Sequence, residues 1–429
     1  MRKTVIYALV ILACISSVWS SAYAATKPVE VTLWHGWTGD WTKVIDDIVK
    51  MFNDSHPGIK VKPLVVPYGE RDTKLMAAIA AGNPPDIIYT MGNTASYAAR
   101  GAMIPIDELM TPQELADYKR YQWPMWQANV YKGHLWTFHG FIDVMALYYN
   151  KGHFKQAGLD PNEPPKDIAT LDSYAEKLTV HDSRGNITRL GFLPENLLWW
   201  GAVFGGDWFK EGKVTANDPE IIKAGEWFAS YSKKYDVKKL TAFQGGLAEE
   251  RARALDPFIS GKYSMQLMGQ WKILDIAKYA PKDFDYGIVP LPTPPGGRKN
   301  AIIVPSGYGL IPKGAKHPKE ALQYLLYWVG KGYEEDRAKI MTMGGWMPLA
   351  DGPWQARAAQ DYMKQYPHFK VFVDLLRNGQ VVSFASPVEL FYSDRLTQAE
   401  DRIRLLQETP KQSLDRVTKE VQAELDKIK

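Results

Sequence analysis

An α/β fold with helices packed on a parallel sheet is what this sequence predicts, and three observations carry the prediction. Strand-like and helix-like hydrophobic periods alternate from Val29 onward. Clusters of Gly, Pro, Asn and His punctuate them. Of the 429 residues, 45% are apolar and 23% charged, which is the balance of a folded chain rather than a disordered one.

Val29 to Trp34 (VEVTLW) alternates and is rich in β-branched types, so it predicts a strand. His35 to Trp41 (HGWTGDW) is a Gly-containing loop, after which Val44, Ile45, Ile48, Val49 and Phe52 recur at helical spacing up to the break at His56-Pro57-Gly58. Ile59 to Val66 is a second strand, Thr73 to Ala81 a helix, and Asp86 to Tyr89 a short apolar strand. A β-α-β-α-β rhythm of this kind makes a parallel sheet, and such sheets bind ligands beyond the carboxyl ends of their strands. Trp34–Trp41 and Thr90–Asn93 therefore share one rim. Further on, Val144 to Asn150 reads as a buried strand in which Tyr148 and Tyr149 belong to the sheet core. Ile168, Leu171, Tyr174, Ala175 and Leu178 mark one helix face, and Leu322, Leu325, Leu326 and Val329 another. Tyr286–Leu291 and Ala301–Ile311 read as strands on either side of a Pro/Gly stretch, and Leu414, Val417, Val421, Leu425 and Ile428 predict a C-terminal helix that docks. No tandem repeat or low-complexity tract is present.

The N-terminus reads as an export signal. Arg2 and Lys3 precede an apolar run, and Ala22-Tyr23-Ala24 supplies the small-x-small cleavage pattern, so the mature chain is expected to start at Ala25. Cleavage removes Cys14, the sole cysteine, and with it any disulfide, thiolate nucleophile or Cys-ligated zinc. A competing lipobox reading of Ile11-Leu12-Ala13-Cys14 would lipidate Cys14, but Leu12 suits it poorly. The formal charge of +4 comes without a dense Lys/Arg cluster, which argues against a nucleic-acid partner. HExxH, GxGxxG, Walker A and GxSxG motifs are absent. No catalytic residue, metal site or cofactor is therefore assigned, although a pair of carboxylates suited to glycoside hydrolysis is not excluded by counting.

Several segments, taken in order, resemble one family. They are VTLWHGW (Val31 to Trp37), AAIAAGNPPDIIY (Ala77 to Tyr89), ARGAMIPIDEL (Arg100 to Leu109) and MALYYNKGHFKQAGLDPNEPPKD (Met145 to Asp167). FISGKYSMQLMGQW (Phe258 to Trp271), YGIVPLPTPPGG (Tyr286 to Gly297) and GGWMPL (Gly344 to Leu349) complete the set. The chain resembles the extracellular solute-binding proteins of bacterial ABC importers, of the carbohydrate-binding type that includes maltose- and glycerol-phosphate-binding proteins. The resemblance implies a two-lobed periplasmic-binding-protein fold with a central ligand cleft and hinge crossovers. With 1–24 as signal peptide, 25–140 plus 306–330 would form lobe one and 143–300 plus 335–429 lobe two. It also implies a periplasmic, monomeric carrier that passes a carbohydrate to membrane permease subunits.

A sugar offers an apolar C–H face and a girdle of hydroxyls, so its site needs aromatic walls and a few placed polar groups. Trp271 follows the family's apolar strand, where sugar binders place an aromatic, and is the expected stacking platform. Trp37 and Trp41 lie in the first strand–helix loop, and His35 beside them is suited to a hydroxyl. Asp143, ahead of LYYN, stands where maltose-type binders place an acid, and Asn93 where relatives use a polar side chain. Trp199 and Trp200 are adjacent and point different ways, so only one, taken as Trp200, is expected at the cleft. Trp346 and Tyr308, each beside glycine, complete the set. Arg and Lys are missing from Trp34–Trp41 and Thr90–Asn93, which ranks a polyol phosphate below a neutral sugar.

Overall fold

The computed structural model describes residues 27–89, 94–138, 140–252, 256–304, 309–384 and 386–428. The expected signal peptide with Cys14, the rim segment 90–93 with Asn93, and Tyr308 lie outside them.

The first sheet is built as the β-α-β-α-β rhythm predicts. Strand β1 (Val29–His35) is followed by helix α1 (Asp40–Ser55), β2 (Ile59–Val65), α2 (Tyr68–Ala80) and β3 (Ile87–Tyr89). β1 lies at the centre, parallel to β2 from Val29 opposite Ile59 to His35 opposite Val65, and parallel to β3 on its other side. Residues Gly309–Leu310 close the far edge, antiparallel to β3. Alternation assigns the faces. Val31, Leu33, Ile87 and Tyr89 join Ile45, Ile48, Val49 and Phe52 of α1 in one core, whereas Ile88 joins Leu75 of α2, Tyr97 and Leu310 in another. Fully burying one such side chain contributes roughly 1.5–3 kcal/mol, so packing of α1, more than its helix propensity, holds it in place. The Asp86 carboxylate ties the layers together. It accepts the Thr32 N–H and hydroxyl at 2.8 and 2.9 Å and the N–H groups of Lys316 and His317 at 3.0 and 2.8 Å.

The second sheet has β4 (Met145–Asn150) at its centre. It lies between β5 (Met265–Gly269), which leads through Gln270 and Trp271 into helix α3 (Lys272–Tyr279), and β6 (Tyr286–Val289). Both pairings are antiparallel. β4 is buried on both faces: Leu147 and Tyr149 enter one core, Ala146 and Tyr148 another. The C-terminal helix Pro410–Asp426 docks as expected, burying Leu414, Val417, Val421 and Leu425 in the core that contains Leu147.

Two elements differ from expectation. α2 starts at Tyr68, five residues before the predicted Thr73, because Pro67 ends the extended stretch and caps the helix. The predicted strand Ala301–Ile311 is two strands in different sheets: Ala301–Val304 pairs with Gln380–Ser383, and Gly309–Leu310 pairs with β3. Ala301–Val304 contributes to the cores around the second sheet, and Gly309–Leu310 belongs to the first sheet. Helix Glu334–Gly344 also serves both halves, with Ile340 in the core of the first sheet and Ala338 and Met341 in a core of the second.

Candidate functional site

The carboxyl end of β1 turns into α1 through Gly36 to Gly39, and the end of β2 turns into α2 at Pro67. These turns bring Trp37, Trp41 and Tyr68 to one rim. Facing them are Asp143, just before β4, and Trp271 and Asp275, which straddle the start of α3. Together with Trp346 these residues line one cavity of about 240 Å³. A cavity of about 310 Å³ elsewhere on the first half is lined by His56, Met110, Glu114, Tyr118, Gln323, Leu326, Lys331 and Tyr333, all from that half or the segment after it. The smaller one is the better candidate because it draws its walls from both sheets.

The aromatic walls are seated on glycines. The Trp271 ring folds back over Gly269, the Trp346 ring over Gly344 and the Tyr68 ring over Gly36; a Cβ at these glycines would lie 1.9, 2.4 and 2.8 Å from ring atoms. Gly345 has a φ of 71° and brings its backbone so near that a Cβ would stand 3.1 Å from the Cα of Trp271. Behind the cavity the rings form a continuous block, with Trp346 at 5.3 Å from Trp37, 5.7 Å from Trp41 and 5.3 Å from Phe141 between centroids.

The polar groups are held from behind. Asp143 Oδ1 accepts from Gln270 Nε2 at 2.8 Å. Asp275 accepts from the buried Lys272 ammonium at 3.1 Å, and Lys272 also bonds Asp256. Tyr68 carries the Arg71 guanidinium 4.5 Å from its ring centroid. Desolvation pushes the Tyr68 hydroxyl up to about 12, with Arg71 working against that rise and Asp143 adding to it, so the phenol is neutral at physiological pH. Beside Trp41, Asp40 at the start of α1 accepts from both Lys278 and Tyr279 at the end of α3.

Of the residues expected from sequence, the structure gathers Trp37, Trp41, Asp143, Trp271 and Trp346 into this cavity. His35 does not line it. At 1% exposure its ring lies 6.0 Å from that of Trp37, Nδ1 has no hydrogen-bond partner, and burial lowers its pKa. Trp200 is a correction. It is fully buried against Trp227, with centroids 4.7 Å apart, because the helix Leu197–Phe204 is apolar all round and lies inside the second half. Sequence reasoning missed Tyr68, Asp275 and Gln270. Tyr68 follows the second parallel strand and so belongs to the same rim as the first loop. Asp275 lies four residues beyond Trp271, which puts both on one helix face. For Gln270 no signal existed.

A cleft walled by two α/β halves, with aromatic and acidic groups converging on it, is the architecture of the two-lobed periplasmic-binding-protein fold. The profile of the bacterial extracellular solute-binding proteins matches residues 36–335, and the chain belongs to that family. Among curated relatives, the sn-glycerol-3-phosphate-binding periplasmic protein UgpB of Salmonella paratyphi A is 25% identical over 407 residues, covering 90% of each chain. Among solved structures, CpMnBP1 with mannotriose bound superposes with a TM-score of 0.79 at 28% identity, covering 91% of this chain and 99% of that one. Maltose-bound MalE3 of T. maritima superposes with a TM-score of 0.74 at 20% identity over 91% of this chain and 98% of its own, a likeness of fold.

Proposed function

We propose that this protein is the extracytoplasmic binding component of an ABC importer, which captures a neutral mono- or oligosaccharide in the cleft and delivers it to membrane permease subunits. One observation carries the reading: the cavity is lined by four indoles, one phenol and two carboxylates, with neither Lys nor Arg among its described lining residues. Indole faces pack on sugar C–H faces, and carboxylates accept from hydroxyls. A hydroxyl-binding group left unpaired costs about 1–3 kcal/mol, which gives such a site its selectivity.

In this reading 25–140 plus 306–330 and 143–300 plus 335–429 are the two lobes, and they close about the crossovers on a ligand. The chain acts as a monomer without cofactor or covalent step, and it reaches the periplasm by a cleaved signal peptide. The mannotriose complex of a relative supports a saccharide ligand.

The UgpB relatives favour a second reading, a polyol phosphate such as sn-glycerol 3-phosphate. Intrinsic fluorescence separates the two, since the chain has 15 Trp and several line the cavity. Titration with mannobiose, mannotriose and maltose is expected to shift the emission, while sn-glycerol 3-phosphate leaves it unchanged. A response to the phosphate alone would install the second reading.

A further inference from the structure

Resting on the carbohydrate-site reading, we propose that Gln270 is a positioning residue of that site, whose side-chain amide aims the Asp143 carboxylate at the ligand. Gln270 does not line the cavity. It is 0% exposed, between the end of β5 and the segment entering β4. Its polar atoms bond three consecutive residues of that segment. Nε2 donates to Asp143 Oδ1 at 2.8 Å and to the Ile142 carbonyl at 3.4 Å, and Oε1 accepts the Val144 N–H at 2.9 Å.

The Val144 contact fixes which way the amide faces. A backbone N–H needs an acceptor, so the carbonyl end turns to Val144 and the NH₂ end turns to Asp143. A carboxylate at 270 keeps the first contact and inverts the second, placing two carboxylates at hydrogen-bond distance, which repel when both are ionised and bond only when one holds a proton. A methionine fills the volume and loses both. Among the described residues, the charged and titratable groups around Asp143 include the Tyr68 hydroxyl, the Arg71 guanidinium over that ring, and Asp275 of the same cavity with its Lys272 partner. Q270E and Q270M leave each of them in place, so wild type read at the same pH is the control.

The test is the affinity of wild type, Q270E and Q270M for mannotriose, read by tryptophan fluorescence from pH 5 to 8 with melting temperatures recorded alongside. Q270M is expected to bind at least about tenfold more weakly at every pH, and Q270E at least about tenfold more weakly at pH 8. Q270E then recovers towards wild type at pH 5, as the shared proton restores a donor. Losses in Q270E that are equal at every pH, or absent, overturn the inference while the carbohydrate reading stands. Wild type that binds none of mannotriose, mannobiose or maltose overturns both. Should Q270E not fold, Q270M with affinity within about threefold of wild type is sufficient to overturn the role of Gln270.

Discussion

The indole of Trp271 lies so flat on Gly269 that a Cβ there would stand 1.9 Å from its Cζ3 and 2.3 Å from its Cη2. The glycine therefore sets how far the ring projects into the cavity. G269A forces the ring to swing, because the strand carrying residue 269 is paired to Met145 and does not yield. The expected result is at least about tenfold weaker sugar binding, with about 1–3 kcal/mol of lost stability from overpacking. Fluorescence titration and a thermal melt measure the two, with W271A as the reference for complete loss of the platform. Wild-type affinity in G269A would show that the ring's seat does not matter.

Asp40 joins the halves through Lys278 and Tyr279. Their hydrogen bonds hold the Asp40 carboxyl below its ordinary 3.8 and lift the Lys278 ammonium above 10.5. A depressed carboxyl contributes fully above its unfolded value and loses that contribution as pH falls through the folded one. A raised ammonium contributes below its unfolded value and loses it as pH rises. The latch is therefore at full strength across the neutral range. D40N should speed ligand release by roughly two- to fivefold, since exposed ion pairs are weak, and leave association unchanged. Stopped-flow traces check this, and the two proteins should converge only as pH falls below 3.8, where Asp40 takes up its proton.

Acid sensitivity has a separate origin. Burial, helped by the Arg189 charge, pulls His153 down from 6.5 to about 4, and its Nδ1 lies 3.0 Å from Ser264 Oγ. His35 and His368 are also lowered by burial. The unfolded chain takes up protons near pH 6.5 that the folded chain refuses until lower pH, so stability declines as pH falls through that window. Melting temperature should be flat above neutrality and drop between about pH 6.5 and 4, more shallowly in H153N. An unchanged slope in H153N would place the sensitivity elsewhere.

How much of this was legible in the sequence depends on the range of the interaction. β1 to β3, their rim, and the docking of Leu414 to Leu425 follow from period and punctuation, which are local. Trp37 and Trp41 were reachable because the rim rule concerns loops. Trp200 was misplaced because a Trp-rich stretch announces burial as readily as a cleft wall, and only tertiary packing separates them. The division of Ala301–Ile311 between two sheets was hidden, since both pieces are apolar and extended. Gln270 depends on the approach of Ile142–Val144, more than a hundred residues away in sequence, and no local pattern encodes that.

Asp143 and Asp275 should also decide which ligands are refused. Both line the cavity, whereas Lys272 is paired with Asp256 and Asp275, and Arg71 lies over the Tyr68 ring and is not one of the described lining residues. A phosphorylated sugar entering this space meets two negative charges. At an effective dielectric near 20, unit charges about 6 Å apart repel by about 3 kcal/mol, before screening. The double variant D143N/D275N removes both charges and keeps side chains that hydrogen-bond hydroxyls. Neutral-sugar affinity should fall moderately, because a carboxylate accepts more strongly than an amide. The ratio of affinities for mannose 6-phosphate and mannose should rise by tenfold or more at low ionic strength, and by less at high salt. Competition titrations at two salt concentrations give both ratios. A ratio unmoved by the double substitution would mean that the shape of the aromatic walls, and not charge, excludes phosphate.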